Sequence, residues 1–378
     1  MFWQDLELEL GYVQKIYERV NYISPVIAGY FERFAQEKKS TIIMNLAYNI
    51  KNCSHHWFFD HYQMQRIKDL HHIDICHNKF CPNCQKMMQA SRLLRFGPVL
   101  NAIAEDYDLY HITHTIPNVS GEKLSDGIDT LFKVYKRFHE YLSGKIRIKG
   151  LDFSQYGYAG SIRSLEVTYN SAKVFVGQEY HPHLHSIIAL KKGLVFDKVI
   201  TNKFSYRRGK YSRSFSRFEV LLQKIFYLIA NNQQVTLKNI ETVELGYTSA
   251  LVKVEKDNYY EIFKYAVKGF SSDKKDKQMM SYEQFKVLYS AMYNRRCIQG
   301  YGKLFRLTPD DTIDESMNEV YNDFIEKLKL VEDPSYTSNT IEEVNDALQR
   351  KFCLYISRKS IYKLQRQIEQ HEQQIQAE

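Results

Sequence analysis

Three histidines alternate along one apolar stretch of the chain. His181, His183 and His185 occupy every second position of EYHPHLHSIIAL, residues 179–190. Successive residues of a β-strand point to opposite faces, so the three imidazoles would share one face, opposite Leu184. Two imidazoles at this spacing can chelate a divalent ion, whereas the alternative is a row of exposed or hydrogen-bonded structural histidines. The spacing therefore predicts a metal site on a strand.

A carboxylate on another strand could complete this metal site. Glu166 lies in SLEVTYN and would share a polar strand face with Thr168. Two imidazoles and one carboxylate with open coordination positions suit Mg²⁺ or Mn²⁺ acting as a Lewis acid on a phosphate oxygen. We take Glu166 as the candidate third ligand of His183 and His185. His181 is the alternative third ligand, and a solvent-facing side chain is the competing interpretation of Glu166.

A tyrosine and a glutamate lie one helical turn apart in NYYEIFKYAVKGF. Glu261 and Tyr265 would share one side of a helix, with Lys268 three residues further along. A tyrosine hydroxyl, with a pKa of about 10, attacks a phosphate only with the help of a metal or a base. The carboxylate could activate water to resolve the phosphotyrosyl product, and Lys268 could hold the phosphate. Helical packing is the alternative, because 29 tyrosines make such pairs common.

Four of the six cysteines fall within one short window of the chain. Cys76, Cys81 and Cys84 follow C-x4-C-x2-C, and Cys53 lies upstream of them. Such clustering in an intracellular protein favours metal binding over disulfides. Four thiolates would hold a structural Zn²⁺ tetrahedrally, although a nearby histidine could replace Cys53. Reduced, partly buried thiols are the alternative interpretation.

A basic and aromatic segment spans residues 203–218, KFSYRRGKYSRSFSRF. It has six Lys or Arg, five aromatic residues and no acidic residue. Guanidinium groups contact phosphates and aromatic rings stack on unpaired bases, so we predict a loop that contacts DNA, with a solvated loop as the alternative. The candidate contact residues are Arg207, Arg208, Lys210, Arg213 and Arg217.

The order of these motifs resembles that of the HUH endonuclease superfamily, in particular the rolling-circle replication initiators of small bacterial plasmids. HPHLH is followed by EIFKYAVK, as in that family. CHNKFCPNCQKMMQASRL is similar to its Cys-rich segment, HITHTIPNVSGEKL to its first strand motif, and RRCIQGYGKLFRL to the stretch after its tyrosine helix. The resemblance extends from about Cys53 to Leu307.

The resemblance implies metal-dependent nicking of one strand of a plasmid double-strand origin. Metal binding would fall on His183 and His185, the nucleophile would be Tyr265, and Glu261 would support hydrolysis at termination. The nick would leave a 3′-OH primer and a 5′-phosphotyrosyl link. The implied partners are origin DNA with a single-stranded or hairpin nick site, a host helicase and a host polymerase, and self-association is left open.

Strands and helices must bring these residues together. Apolar spacings of three and four indicate helices in residues 1–50, and alternation indicates strands in LYHITHTIP, SIRSLEVTYN and HPHLHSIIAL. Helical stretches lie between these strands, which predicts an α+β or α/β domain. With the resemblance, we expect an α+β fold whose nicking domain has a central antiparallel sheet flanked by helices. The expected divisions are a helical, Cys-rich zinc region at 1–99, the nicking domain at 100–307, and an acidic segment with a helical tail at 308–378.

The first strand motif departs from the family pattern at two histidines. His111 would join Thr113 and Thr115 on the face that carries the site. His114 would lie on the opposite face, where a hydrogen-bonded core histidine is expected.

The charge of the chain is unevenly distributed. The net charge is +8, but residues 309–348 hold twelve acidic residues and two lysines, so the rest of the chain carries about +18. A basic body fits a nucleic-acid partner. The N-terminus is acidic, and no apolar run approaches the roughly 18 residues of a membrane span. We therefore expect a soluble, cytoplasmic protein that contacts no membrane.

Three other functions remain open at this stage. A single-tyrosine transposase or a mobilisation relaxase would share the HUH ion site and differ in substrate. A non-catalytic, zinc-dependent DNA-binding protein would share the cysteines and the basic segment. A two-histidine phosphoesterase acting on RNA is suggested by His111 and Thr113, although HLH does not supply its second motif cleanly.

Overall fold

The computed structural model describes residues 15–62, 67–169, 177, 179–206, 209–244, 250–256, 258–260, 262–263, 280–305, 340–343, 354–357 and 360–377. The chain separates into two compact units. One unit combines Met1–Arg95 with Pro309–Glu378, and the other is the continuous segment Phe96–Thr308. None of the described helices is both long and apolar enough to cross a membrane.

The helices and strands are numbered in chain order. The helices are α1 Ser24–Lys38, α2 Thr41–Lys51, α3 Pro82–Asp106, α4 Leu124–Leu142, α5 Arg217–Ala230, α6 Leu237–Thr242, α7 Tyr282–Met292 and α8 Ser360–Ala377. The strands are β1 His56–Tyr62, β2 Ile67–Ile73, β3 Tyr107–Thr115, β4 Gly160–Tyr169, β5 Tyr180–Lys191, β6 Ile200–Tyr206, β7 Gly209–Phe215, β8 Val252–Lys253, β9 Ile298–Gly302, β10 Thr340–Glu343 and β11 Leu354–Ser357.

A five-stranded antiparallel sheet is the centre of the unit Phe96–Thr308. Its strand order is β8-β3-β5-β4-β9. The three central strands are those that the alternating pattern predicted, and helices flank the sheet. This confirms the expected α+β fold with a central antiparallel sheet.

Helices α4 and α5 cover one face of this sheet. The ring of His114 on β3 packs against Tyr135 and Phe138 of α4 and stacks on Phe226 of α5, with centroids 4.6 to 5.3 Å apart. The apolar positions of α4 recur every three or four residues, so one side of that helix faces the sheet. The opposite face of the sheet carries the three histidines of β5.

A second sheet belongs to the unit that contains both ends of the chain. The hairpin β1–β2 forms its centre, β10 pairs antiparallel with β1, and β11 pairs parallel with β2. Trp57, Phe59 and Leu70 form its buried core, and Tyr362 of α8 belongs to the same cluster. The sequence predicted helix α8 but none of these four strands.

The basic segment forms a two-stranded antiparallel hairpin, β6–β7, in place of the loop that we expected. Each strand carries two aromatic residues, a residue type that favours strands. Two residues, Arg207 and Arg208, separate the paired ends Tyr206 and Gly209 and lie outside the described residues. At the base of the hairpin, Ser216 caps α5 in a capping box with Glu219.

Candidate metal centre and nucleic-acid interface

Strand register brings Glu166 next to the histidines of β5. Glu166 on β4 pairs directly with His183, and Ser164 pairs with His185. On the other side of β5, Thr113 of β3 pairs with His185. Directly paired residues point to the same face, so three strands contribute to one polar patch.

The patch holds three groups that can ligate a metal. The Nε2 atom of His185 lies 3.0 Å from Oε2 of Glu166, and Nε2 of His183 lies 3.6 Å from the same oxygen. All three ligand atoms lie within 4.8 Å of one another. Glu166 is only 2% exposed and His183 only 7%. A buried carboxylate and two imidazoles form a donor set that fits one divalent ion and leaves coordination positions open.

The remaining ring nitrogens of both histidines face hydrogen-bond partners. Nδ1 of His183 lies 3.2 Å from the carbonyl oxygen of His181, to which it can only donate. This bond leaves Nε2 of a neutral His183 with its lone pair directed at the patch. Nδ1 of His185 lies 3.1 Å from Nε2 of His111 and 3.5 Å from Oγ1 of Thr113. Such contacts orient ligating histidines and increase their basicity.

His111 contacts the metal group, whereas the sequence pattern placed it on the site face and gave it a role only in the phosphoesterase alternative. Its ring stacks on that of His185 with centroids 5.3 Å apart, in addition to the hydrogen-bond contact. The alternation of β3 placed His111 on this face together with Thr113, as the structure has it. The alternation does not give the register of β3 against β5. That register places the rings of His111 and His185 in diagonal contact.

His181 lies beside the group of Glu166, His183 and His185 and outside it. Its ring stacks on that of His183, with centroids 4.8 Å apart. Burial, and next the charge of His183, lower the pKa of His181 to about 4, although Glu166 acts in the opposite direction. A neutral imidazole at physiological pH therefore borders the group. In this arrangement Glu166 is the better placed of the two candidate third ligands.

Strand β9 supports the Glu166 strand through close backbone contact. It pairs with the first half of β4, from Gly160 to Ser164. A Cβ at Gly300 would lie 1.8 Å from the carbonyl oxygen of Leu304, and Gly302 has a φ of +61°. The glycines of RRCIQGYGKLFRL therefore allow a tight turn directly against the strand that carries Glu166.

Tyr265, Glu261 and Lys268 lie outside the described residues. Just before Tyr265, Phe263 is fully buried and stacks on Phe96, with centroids 5.5 Å apart. Tyr259 donates a 2.7 Å hydrogen bond to Asn101.

The four clustered cysteines meet in the other unit. The sulfur of Cys84 lies 3.5 Å from those of Cys53 and Cys76, and the four sulfurs lie within 4.8 Å of one another. Hydrogen bonds from the thiols of Cys76, Cys81 and Cys84 lower the pKa of Cys53. Four sulfurs bound to zinc at 2.3 Å lie about 3.8 Å apart, so this spacing fits a Zn²⁺ ion. Cys53 lies within the cluster, so no histidine is needed in its place.

The basic hairpin presents part of its charge to solvent. Arg213 and Arg217 are exposed, and the guanidinium of Arg213 lies 5.8 Å from the ring of Phe215. The side chain of Lys210 lies outside the described residues. Glu219 anchors the base of the hairpin: it forms an ion pair with Lys198 and accepts a 2.7 Å bond from the backbone nitrogen of Leu251.

Comparison with known proteins decides the family. The model of the family described as Replication protein matches residues 67–346, which is more than half of the 378-residue chain. The chain belongs to the replication protein family. The matched range contains the strands that carry His111, Glu166, His183 and His185 and three of the clustered cysteines. The family that the sequence motifs indicated is thus confirmed.

This replication protein is similar to a curated relative, Protein rep from Staphylococcus aureus. The two are 29% identical over 131 residues, which cover 34% of this chain and 51% of the relative. The chain therefore spans about half the length of the curated relative it matches. No solved structure matches the chain.

Proposed function

We propose that this protein initiates plasmid replication by nicking one strand of a double-strand origin, with Tyr265 as nucleophile and a divalent ion held by His183, His185 and Glu166. The observation that carries the proposal is the buried group of one carboxylate and two imidazoles. Family membership and the order of the sequence motifs around that group support it. The proposed nicking domain is residues 100–307, and its metal group lies within the compact unit Phe96–Thr308.

The proposed reaction exchanges one phosphate ester for another. The Oη atom of Tyr265 attacks the scissile phosphorus, the bond between phosphorus and O3′ breaks, and the tyrosine proton is lost to solvent or a base. The 3′-oxygen leaves as a hydroxyl that primes the polymerase, and the 5′-phosphate stays on the tyrosine. At termination, Glu261 accepts a proton from water or from a 3′-hydroxyl that attacks the link, while Lys268 holds the phosphate.

The chain's own residues prepare the metal site. Nδ1 of His183 donates to a backbone carbonyl, and Nδ1 of His185 contacts His111, so both Nε2 atoms are oriented toward Glu166. A bound Mg²⁺ or Mn²⁺ would polarise the scissile phosphate and neutralise charge that develops during attack. Burial of the carboxylate keeps it away from competing hydrogen bonds with bulk water.

Two other elements are assigned within the same proposal. Cys53, Cys76, Cys81 and Cys84 would hold a structural Zn²⁺ that stabilises the unit containing Met1–Arg95. The basic hairpin, through Arg207, Arg208, Lys210, Arg213 and Arg217, would hold extruded or single-stranded DNA near the nick. A host helicase and a host polymerase are the proposed partners after the nick.

The decisive experiment combines nicking with identification of the adduct. Purified protein is incubated with supercoiled DNA of the replicon that carries its gene, with Mn²⁺ or with EDTA. Wild type should produce open circles and a DNA–peptide adduct that mass spectrometry locates at Tyr265. Tyr265→Phe should give neither product, and Tyr293→Phe, which changes an exposed tyrosine after helix α7, should match wild type.

Each rival function gives a different outcome. A non-catalytic DNA-binding protein would retard the plasmid in a gel without forming open circles or an adduct. A transposase or a relaxase would form the adduct on hairpin ends or on a transfer origin and leave the replication origin intact. An adduct at a residue other than Tyr265 would refute the assigned nucleophile.

A further inference from the structure

Helix α2 exposes one complete side to solvent. Ala47 and Ile50 are fully buried on its inner side. On its outer side, Ile42 is 71% exposed and Tyr48 is 68% exposed, which is high for large side chains on a helix. Asn45 is exposed as well. An exposed surface of apolar, aromatic and amide groups typically marks an interaction site.

Amide groups occupy the middle of the exposed surface. An α-helix advances about 100° per residue, so Asn45 and Tyr48 lie near the centre of the exposed arc. Ile42 and Asn49 lie on one side of them, and Met44, 38% exposed, lies on the other. A side-chain amide offers both a donor and an acceptor, and the flanking groups offer methyl contacts.

Basic residues lie at both ends of α2, and Glu37 is the nearest acidic residue in the sequence before it. Lys38 and Lys39 precede the helix, Lys51 ends it, and no acidic residue occurs between positions 38 and 59. Lys39 has a left-handed backbone with a φ of 49°, so the two lysines lie in a tight turn between α1 and α2. Because 11 residues span about 16 Å, the cations are separated by more than the width of a major groove, about 12 Å.

We propose that the outer face of α2 enters the major groove of duplex DNA and reads base edges in the origin. Asn45 and Asn49 would contact adenine, Ile42 would contact thymine methyl groups, and the lysines at both ends would contact phosphates on either side of the groove. This assignment rests on the proposed function and deepens it. It separates recognition of the duplex from the nicking chemistry, which uses other residues.

A second copy of the chain is the other occupant that this surface could accept. Self-association would have to pair the amides of Asn45 and Asn49 with polar groups of the other copy. It would also bring cations at the helix ends close to those of the other copy. Duplex DNA satisfies the amides and the cations together, so the charge pattern favours DNA.

Duplex binding tests this assignment. Fluorescence anisotropy of labelled origin duplex and of a scrambled duplex is measured at several salt concentrations for the full-length chain. Asn45→Ala should weaken origin binding about tenfold and leave scrambled binding unchanged. Lys39→Ala with Lys51→Ala should weaken binding to both duplexes and lower the salt dependence, by about one unit of log–log slope per lysine.

Matched controls keep the result specific. Gln367→Ala removes an exposed amide from helix α8 in the same unit and should change neither affinity. Equal weakening of origin and scrambled binding by Asn45→Ala would overturn base readout. If light scattering shows that Ile42→Ala has a lower molar mass than wild type while duplex binding is intact, the surface would instead be assigned to a second copy.

The test also separates this assignment from the nicking proposal. A single-stranded oligonucleotide that carries the nick site should be cut equally by wild type and Asn45→Ala, because α2 lies outside the proposed catalytic residues. Tyr265→Phe should bind origin duplex as wild type does while forming no adduct. Normal nicking with unchanged duplex recognition in Asn45→Ala would refute the role of α2 alone.

Discussion

The Nε2 atom of His111 lies 3.1 Å from the Nδ1 atom of His185, although 74 residues separate them in the chain. This contact fixes the ring whose other nitrogen lies 3.0 Å from Glu166. A histidine that orients a ligating histidine increases metal affinity without touching the ion. His111 is therefore a positioning residue for the proposed metal centre.

We predict that His111→Leu weakens Mn²⁺ binding about 10- to 100-fold, because it removes the contact that orients the His185 ring. Isothermal titration calorimetry of Mn²⁺ into metal-free protein measures the change. His371→Ala, a histidine on helix α8, should bind Mn²⁺ as wild type does. Unchanged Mn²⁺ affinity in His111→Leu would show that strand pairing alone orients His185.

The cysteine cluster predicts a zinc requirement for the unit that holds both ends of the chain. Purified protein should contain about one Zn²⁺ per chain, because four thiolates saturate its coordination. A chelator should make this unit susceptible to proteolysis, while the segment Phe96–Thr308 resists it. Elemental analysis and limited proteolysis measure the two effects.

Single substitutions separate the zinc thiols from other cysteines. Cys84→Ser should lose the zinc and the protease resistance together. Cys297→Ser changes a buried cysteine whose sulfur contacts the backbone oxygen of Arg295, and it should retain the metal. Full zinc content in Cys84→Ser would show that the zinc binds elsewhere than in this cluster.

Buried His114 predicts a loss of stability in acid. Burial, with a smaller effect of His111, lowers the pKa of His114 to about 3, whereas an unfolded histidine titrates near 6.5. Between about pH 3 and pH 6.5 the imidazole is therefore protonated in the unfolded state and neutral in the folded state. The free energy of unfolding consequently falls as pH falls below about 6.5. The slope approaches about 1.4 kcal/mol per pH unit.

His114→Phe should reduce this acid sensitivity. Phenylalanine can keep the aromatic packing against Phe226 and removes Nε2, a buried nitrogen for which the described residues supply no hydrogen bond. Urea denaturation at pH 7 and at pH 5 provides the comparison. An equal loss of stability in both proteins between these pH values would assign the acid sensitivity to other groups.

The contacts of Glu219 predict that the stability of the region at the base of the basic hairpin depends strongly on this one carboxylate. Its side chain is fully buried and binds Lys198, Ser216 and the backbone nitrogen of Leu251. Glu219→Ala should cost about 2 to 4 kcal/mol, because it removes the capping box and leaves buried donors unmatched. Thermal unfolding measures the loss, and Glu283→Ala, at an exposed carboxylate, is the control.

The pH dependence of this contribution has a definite sign. Burial alone would raise the pKa of Glu219, but the bonds from Lys198, Ser216 and Leu251 outweigh it and lower the pKa. The contribution of Glu219 is therefore present above the unfolded pKa near 4.3 and lost as pH falls further. The difference in free energy of unfolding between wild type and Glu219→Ala should therefore shrink in acid. A difference that stays constant down to pH 3 would contradict this pH dependence.

Local sequence patterns predicted the strands and helices whose own residues specify them. The alternation around His111, Glu166 and His183 gave three strands of the central sheet and the face of each site residue, because side-chain direction follows from the backbone period. The direct pairing of Glu166 with His183 depends on register, which no local pattern contains.

Strands with distant partners were predicted only where they are long and alternate, and the local hairpins β1–β2 and β6–β7 were not predicted. Strands β10 and β11 are four residues each and pair with β1 and β2, far away in the sequence. The basic hairpin was expected to be a loop, since its charge suggested solvation more strongly than its aromatic residues suggested strands. Short strands gain their stability from pairing, so composition alone identifies them poorly.

The placement of β10 and β11 beside the first hairpin has a consequence for synthesis on the ribosome. The β1 edge stays unpaired until residue 343 has been translated and the β2 edge until residue 357, whereas Phe96–Thr308 is continuous and can fold earlier. A nascent chain that stops short of β11 would expose an open sheet edge, which invites aggregation. Products truncated before β11 should therefore aggregate or be degraded.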